Sequence, residues 1–369
     1  MRVVVSGGGT GGHIFPALAV VEALERVDPE GERLYIGGST GMETQIVPEA
    51  GVLFQAVTAK KLRKLVSPGT VGVAWSLLKG YREARTYLKA FKAEAVVGTG
   101  GYVAGAAMLA GVTLGLPTLI LAPDLIPGRT NRLLGRFAKK VCLVFPESIP
   151  AFGKEKSVVT GLPLRSGIVL PSEVTPQEAR CRFTGLRPDA FTVLVAGGSQ
   201  GAQAVNNLVL GAAQDLLAAG VQILHQTGPK NFELVTEQAK ALGLTPEKGY
   251  LPLAFFDATQ MPLALRAADI FVCRGGISTL SEAMANGLPA MVIPLPSAYA
   301  DHQTANARAL EKAGAGLHRA ENSLTAEKLS TEILELRAAP ERLAAMSQAG
   351  RALGKAEAAE TVAKLILAL

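Results

Sequence analysis

One pattern occurs twice in this chain. From Gly275 it reads a glycine pair, a helix-forming run, Gly287-Leu288-Pro289, an apolar strand over Ala290–Ile293 and Pro296. From Gly100 it reads a glycine pair, a helix-forming run, Gly115-Leu116-Pro117, an apolar strand over 118–122 and Pro123. A second pair precedes these. Val3–Val5 runs into Gly7-Gly8-Gly9, and the strand 191–196 runs into Gly197-Gly198-Ser199-Gln200-Gly201. Strands joined through helices are parallel, and alternating β-α units build doubly wound sheets. The expected fold class is therefore α/β, with two Rossmann-like parallel-sheet domains facing a cleft. A chain of 369 residues also exceeds one ordinary core. The expected division is 1–160 and 161–350, with an apolar-striped C-terminal helix at about 354–369 returning to the first domain. The Pro- and Gly-rich stretch 146–164 is read as an irregular connection.

The stretch Arg274–Pro289 carries the sharpest chemistry. Gly275 and Gly276 let the backbone turn tightly and approach a ligand. The following helix opens at Ile277-Ser278-Thr279, where N–H groups lack helical partners and the dipole is positive. A diphosphate suits that end. Glu282 lies one turn on, on the same face, where a carboxylate can grip ribose hydroxyls. A nucleoside diphosphate is the natural guest; an ordinary capped turn is the plainer alternative. Near the start, Gly7, Gly9 and Gly12 satisfy G-x-G-x-x-G, ahead of a helix expected from Pro16 to about Arg26. A dinucleotide site also needs an acid at the end of the next strand. That strand, 33–36, ends in Gly37-Gly38 instead. The loop is read as a phosphate cradle without a nicotinamide.

Between Lys60 and Lys92 nine basic residues face one acid, Glu83, a larger surplus than the chain's net charge of +6. Val71, Val73, Trp75 and Leu78 are interleaved with them. Leu77, Tyr81, Ala84, Leu88 and Phe91 form a helical stripe expected in the core. Basic residues beside the only Trp suit an anionic membrane surface, against the alternative of a solvated face. There is no aromatic-basic interleaving of the RNA-binding kind, so no nucleic-acid partner is expected. The uncharged run 95–123 is long enough for a membrane span. Its glycines and Pro117 favour a strand, a glycine loop, a helix over 104–114 and a second strand. Cys142, Cys181 and Cys273 offer neither a disulfide framework nor metal spacing. With no leader expected ahead of the first strand, this points to a reducing cytoplasm.

The order of Gly7–His13, Gly100–Gly105, Gly161-x-Pro-x-Arg165, Gly197–Gly201 and Arg274–Pro289 resembles the MurG family of peptidoglycan N-acetylglucosaminyltransferases over nearly the whole chain. The resemblance implies a GT-B fold and an inverting transfer of GlcNAc from UDP-GlcNAc to lipid I (undecaprenyl-diphospho-muramoyl-pentapeptide), forming lipid II in cell-wall biogenesis, at the cytoplasmic face of the membrane. It implies that Arg165 and Ser199 contact the nucleotide sugar, with the Ile277, Ser278 and Thr279 backbone on the diphosphate and Glu282 on the ribose. It also implies Gln303 near the sugar or diphosphate, and Thr10, Gly11, Gly12 and Asp124 at the donor. Gly9, Thr10, Gly11, Gly12, His13, Gly101 and Tyr102 are implied at the acceptor diphosphate, and residues 60–92 at the membrane. This chain has Leu121-Ala122-Pro123-Asp124 where the family usually has His-Glu-Gln-Asn, which makes Asp124 the candidate for the missing acid.

The transfer requires a base for the acceptor hydroxyl and charge stabilisation for departing UDP. No Asp-x-Asp occurs, so neither a metal nor another cofactor is expected, and the Ser278 helix end takes the metal's place. His13 is the first candidate base, with phosphate binding as its alternative; Asp124 is the second. His225, His302 and His318 are expected at the surface or behind the site. Two rival functions share the scaffold: a UDP-GlcNAc 2-epimerase-like enzyme and a non-catalytic nucleotide-sugar-binding subunit.

Overall fold

The structure, a computed structural model, describes residues 1–59 and 70–369, with side chains from Trp75 onward in the helix that opens at Thr70. Lys60, Lys61, Arg63 and Lys64 of the expected basic patch lie outside the described residues. The chain forms two compact units, 1–166 with 356–369, and 167–355.

The first unit holds strands β1 (Arg2–Ser6), β2 (Glu32–Gly38), β3 (Phe54–Val57), β4 (Ala95–Gly98), β5 (Thr118–Ala122), β6 (Lys140–Leu143) and β7 (Ser157–Val159). They are parallel, in the order 3-2-1-4-5-6-7. The second holds β8 (Thr192–Ala196), β9 (Gln222–Gln226), β10 (Tyr250–Leu253), β11 (Ile270–Cys273), β12 (Ala290–Val292) and β13 (Gly316–His318). They too are parallel, in the order 10-9-8-11-12-13. In each sheet the order reverses beside the first strand, at β1/β4 and at β8/β11. That switch point is where an open parallel sheet leaves a crevice at its carboxyl edge. The four glycine loops follow those four strands.

Helices cover both faces of each sheet, as an all-parallel sheet requires. Alternation along β1 shows it. Val3 and Val5 enter one buried cluster, and Val4 enters another on the opposite face. The C-terminal helix Ala358–Leu367 places Ala359, Val362, Ala363 and Ile366 in the first of these, with Ile14, Val21 and Leu24 of the helix Gly11–Val27.

Four local expectations are corrected. The first helix opens at Gly11, and Pro16 lies inside it. There Pro16 forgoes one backbone bond while its fixed φ still suits a helix. The 146–164 stretch is not wholly irregular: Ser157–Val159 pairs with β6 and completes the sheet. The chain then stays with the first unit to Ser166. Thr160 and Gly161 donate to the Leu143 carbonyl (3.0 and 3.1 Å), and Ser166 Oγ donates to Glu22 (2.7 Å). Leu77 is not core but 44% exposed, and the buried face of Thr70–Ala90 runs through Ser76, Gly80, Ala84 and Leu88. Gly80 sets this rotation, since a Cβ there would lie 2.1 Å from the Thr58 carbonyl oxygen. Finally, the helix expected at 104 begins at Gly101, so Gly101 and Tyr102 belong to its first turn.

Among the described residues no helix is long and apolar enough to cross a membrane. Because the last helix completes a buried cluster, Ile366→Ala is expected to cost about 2–5 kcal/mol, read from the denaturant midpoint. An unchanged midpoint would contradict the packing.

Candidate active site

In the first unit the loops after β1 and β4 converge on His13, half-buried in the first turn of its helix. Its Nδ1 lies 3.0 Å from the Thr99 carbonyl oxygen. A carbonyl only accepts, so Nδ1 carries the proton and Nε2 holds the lone pair of the neutral ring. Thr99 Oγ1 in turn donates to the His13 carbonyl (2.7 Å). Space for the ring comes from Gly100 and Gly101, both at positive φ (107° and 78°), where an added Cβ would meet imidazole atoms at 2.9 and 3.1 Å. Burial holds the imidazole below its ordinary pKa; the Asp124 carboxylate and the Thr99 bond oppose this. Asp124, just past β5, is thus electrostatically coupled to His13.

Gly9 and Thr10 are exposed, and Gly11 and Gly12 half-buried. The Tyr102 ring covers Gly9, where a Cβ would come within 2.9 Å of it. No side chain caps the helix start. The loop has a brace that the motifs did not reveal. Glu43, fully buried, accepts from the N–H groups of Gly9 and Gly38 (3.2 Å each), and Tyr35 donates to the Gly7 carbonyl (3.0 Å). The Gly9 N–H expected on a diphosphate is therefore engaged internally. The missing acid at the end of β2 has its physical counterpart here, because a Cβ on Gly37 or Gly38 would press on Glu43 (3.1 and 2.9 Å). Arg165, grouped by its motif with the nucleotide-sugar residues, lies in the first unit with its guanidinium 5.9 Å from the Phe15 ring centroid.

In the second unit the helix Ile277–Asn286 begins after Gly276 with no side-chain cap and ends at Gly287 in the left-handed conformation (φ 61°). Ile277 is buried, while Ser278, Thr279 and Glu282 are half-buried. Arg274 anchors the turn by donating to the carbonyls of Ile293 and Pro294 (3.1 Å each) and pairing with Glu321 (2.6 Å). Gly275 is needed because the Gln303 carbonyl would lie 2.5 Å from a Cβ there. Gln303 Oε1 accepts from Leu295 N–H (3.0 Å), which leaves its amide N–H groups as the donors to offer. Ser199 is exposed in the loop after β8.

Of the two places expected for His225, the surface is ruled out: it is fully buried on β9 between Tyr250 OH (2.8 Å) and Asn206 Oδ1 (3.1 Å). Asn206 spends its amide N–H on the Thr227 carbonyl (2.9 Å), so His225 Nε2 donates and Nδ1 accepts from the tyrosine. Only the Tyr250 and Asn206 partners, distant in sequence, mark it as interior, and no local pattern signals them.

Two Rossmann-like parallel sheets with glycine loops at their switch points are the architecture of the GT-B class, and the family matches make it that of a glycosyltransferase. The family 28 N-terminal domain matches residues 3–143 and the family 28 C-terminal domain matches 192–362. A curated relative from Desulfitobacterium hafniense, named UDP-N-acetylglucosamine--N-acetylmuramyl-(pentapeptide) pyrophosphoryl-undecaprenol N-acetylglucosamine transferase, is 41% identical over 100% of this chain and 99% of its own. A Bacillus subtilis protein of the same name is 36% identical over 97% of each. The crystal structure of Acinetobacter baumannii MurG superposes with a TM-score of 0.76 at 30% identity, covering 100% of this chain and 99% of that one. A UDP-GlcNAc 2-epimerase from Neisseria meningitidis (TM-score 0.73, 14% identity, 100% of each chain) shares the fold alone. The chain belongs to the MurG family, within glycosyltransferase family 28.

Burial holds folded His225 near a pKa of about 3, whereas the unfolded side chain titrates at 6.5. Between those values only the unfolded chain binds the proton, so this stability is complete above pH 6.5 and is lost as pH falls toward 3. His225→Asn is expected to flatten that acid loss in denaturant titrations at stepped pH. An unaltered slope would assign the loss to other groups.

Proposed function

We propose that the protein transfers GlcNAc from UDP-GlcNAc to lipid I, forming lipid II. The observation that carries this reading is full-length identity of 41% to a protein of that named activity, in a chain whose glycine loops flank both switch points. The first unit takes the acceptor and the second the donor.

Neutral His13 has an unprotonated Nε2 at neutral pH and serves as the base for the acceptor hydroxyl; its burial favours that form. Asp124 stabilises the imidazolium that results. The attacked anomeric carbon passes through an oxocarbenium-like state, and direct displacement inverts it. The charge that develops on UDP falls on the start of the helix Ile277–Asn286, about half a unit of positive charge plus N–H donors. Glu282 holds the ribose, while Ser199 and Gln303 contact the phosphates and sugar. In the first unit Thr10, Gly11, Gly12, Gly101 and Tyr102 receive the acceptor diphosphate.

The lipid acceptor calls for peripheral membrane contact at the cytoplasmic face. Trp75 (64% exposed) and Leu78 (41% exposed), beside basic Lys79 and Arg82, support a role for the 60–92 region against anionic lipid.

The direct test incubates the protein with UDP-GlcNAc and a short-chain lipid I analogue. UDP release only with acceptor, undiminished by chelator, is expected. UDP-ManNAc formation without acceptor would mark an epimerase, and tight UDP binding without turnover a binding subunit. His13→Ala is expected to lower kcat about 10²-fold or more. The wild-type acid limb of kcat/KM should fall below pH 6.5, because the folded imidazole titrates below its ordinary value. Near wild-type turnover in the variant would remove His13 from the chemistry.

A further inference from the structure

We propose that Gln226 is a positioning residue that ties the two donor-facing loops of the second unit to each other. The inference rests on the reading that this unit holds UDP-GlcNAc. Gln226 ends β9 and is 2% exposed. Its strand lies between β8 and β10, so its side chain stands between the loops that leave them. The amide spends both of its capacities there. Nε2 donates to the Gly198 carbonyl (3.1 Å) in the loop that carries Ser199, and Oε1 accepts from Phe256 N–H (3.0 Å) in the loop after β10.

The surroundings make this bridge stiff. Gly201 and Gly228 let the loop after β8 rest directly on the backbone after β9. A Cβ on Gly201 would lie 2.0 Å from the Thr227 carbonyl oxygen, and one on Gly228 2.4 Å from that of Gln200. Asn206 and Asn231 both donate to the Thr227 carbonyl (2.9 and 3.1 Å). Phe256 is buried edge-on against Phe183, with centroids 6.1 Å apart, so the backbone that Gln226 grips does not drift. Phe255 beside it is 47% exposed. The titratable groups next to the bridge in sequence are engaged elsewhere, His225 with Tyr250 and Asn206, and Asp257 with Thr259 and Gln260. At neutral pH the amide supplies both a donor and an acceptor in this shape. A carboxylate supplies only acceptors, and leucine supplies neither.

The test compares Gln226→Leu and Gln226→Glu with wild type, measuring KM for UDP-GlcNAc, KM for the lipid I analogue, UDP affinity and the thermal midpoint. Donor KM and UDP Kd are expected to rise about tenfold in both variants at about pH 8, the loss of one or two hydrogen bonds, with acceptor KM unchanged. Gln226→Glu should recover on acidification, because a protonated carboxyl again offers one donor and one acceptor, and burial raises its pKa. Wild type should show no such recovery of donor KM. Unchanged donor KM in folded Gln226→Leu, an equal rise in both KM values, or no recovery of Gln226→Glu with acid would overturn the proposal. Absence of UDP binding by wild type would instead overturn the reading beneath it.

Discussion

Backbone N–H groups left unpaired where strands turn into helices are the interaction around which this molecule is arranged. A parallel sheet aims its strand ends at one edge, and each following helix begins there with a positive dipole. At β1/β4 and β8/β11 the sheet order reverses, so the helix starts diverge and leave room for an anion. The substrates assigned to this family carry diphosphates. On the proposed function, one device used in each unit would serve both without committing charged side chains to every phosphate oxygen.

The glycines in these loops meet different demands. Gly100 and Gly101 take positive φ and clear space for an imidazole. Gly275 admits a neighbouring carbonyl. Gly37 and Gly38 make way for the Glu43 carboxylate, which binds the first glycine loop from behind. That carboxylate occupies a donor which a free anion would otherwise use.

Much of this architecture was legible from repeated strand-glycine-helix patterns, because a short continuous apolar run and a glycine pair are local signals. The helix Ile277–Asn286 and its Gly287 stop follow from residues within one stretch. What the sequence hid depends on distant partners. The rotation that exposes Leu77 is set by Gly80 against Thr58, from another element. The short edge strand Ser157–Val159 owes its existence to pairing with β6 and not to its own propensity. Glu43, Gln226 and His225 carry no motif; each is recognisable only once the groups it bridges are brought together. Arg165 sits on Phe15 through a contact that no spacing rule anticipates.

The helix Ala358–Leu367 belongs to the unit whose first strand is made of residues 2–6. During synthesis, therefore, the amino-terminal unit keeps part of its apolar surface uncovered until the ribosome has produced residues 358–367, and the second unit, an uninterrupted segment, can fold while it waits. A ribosome that stalls just before residue 358 would release a polypeptide with one finished lobe and one sticky one, a natural substrate for chaperones and proteases.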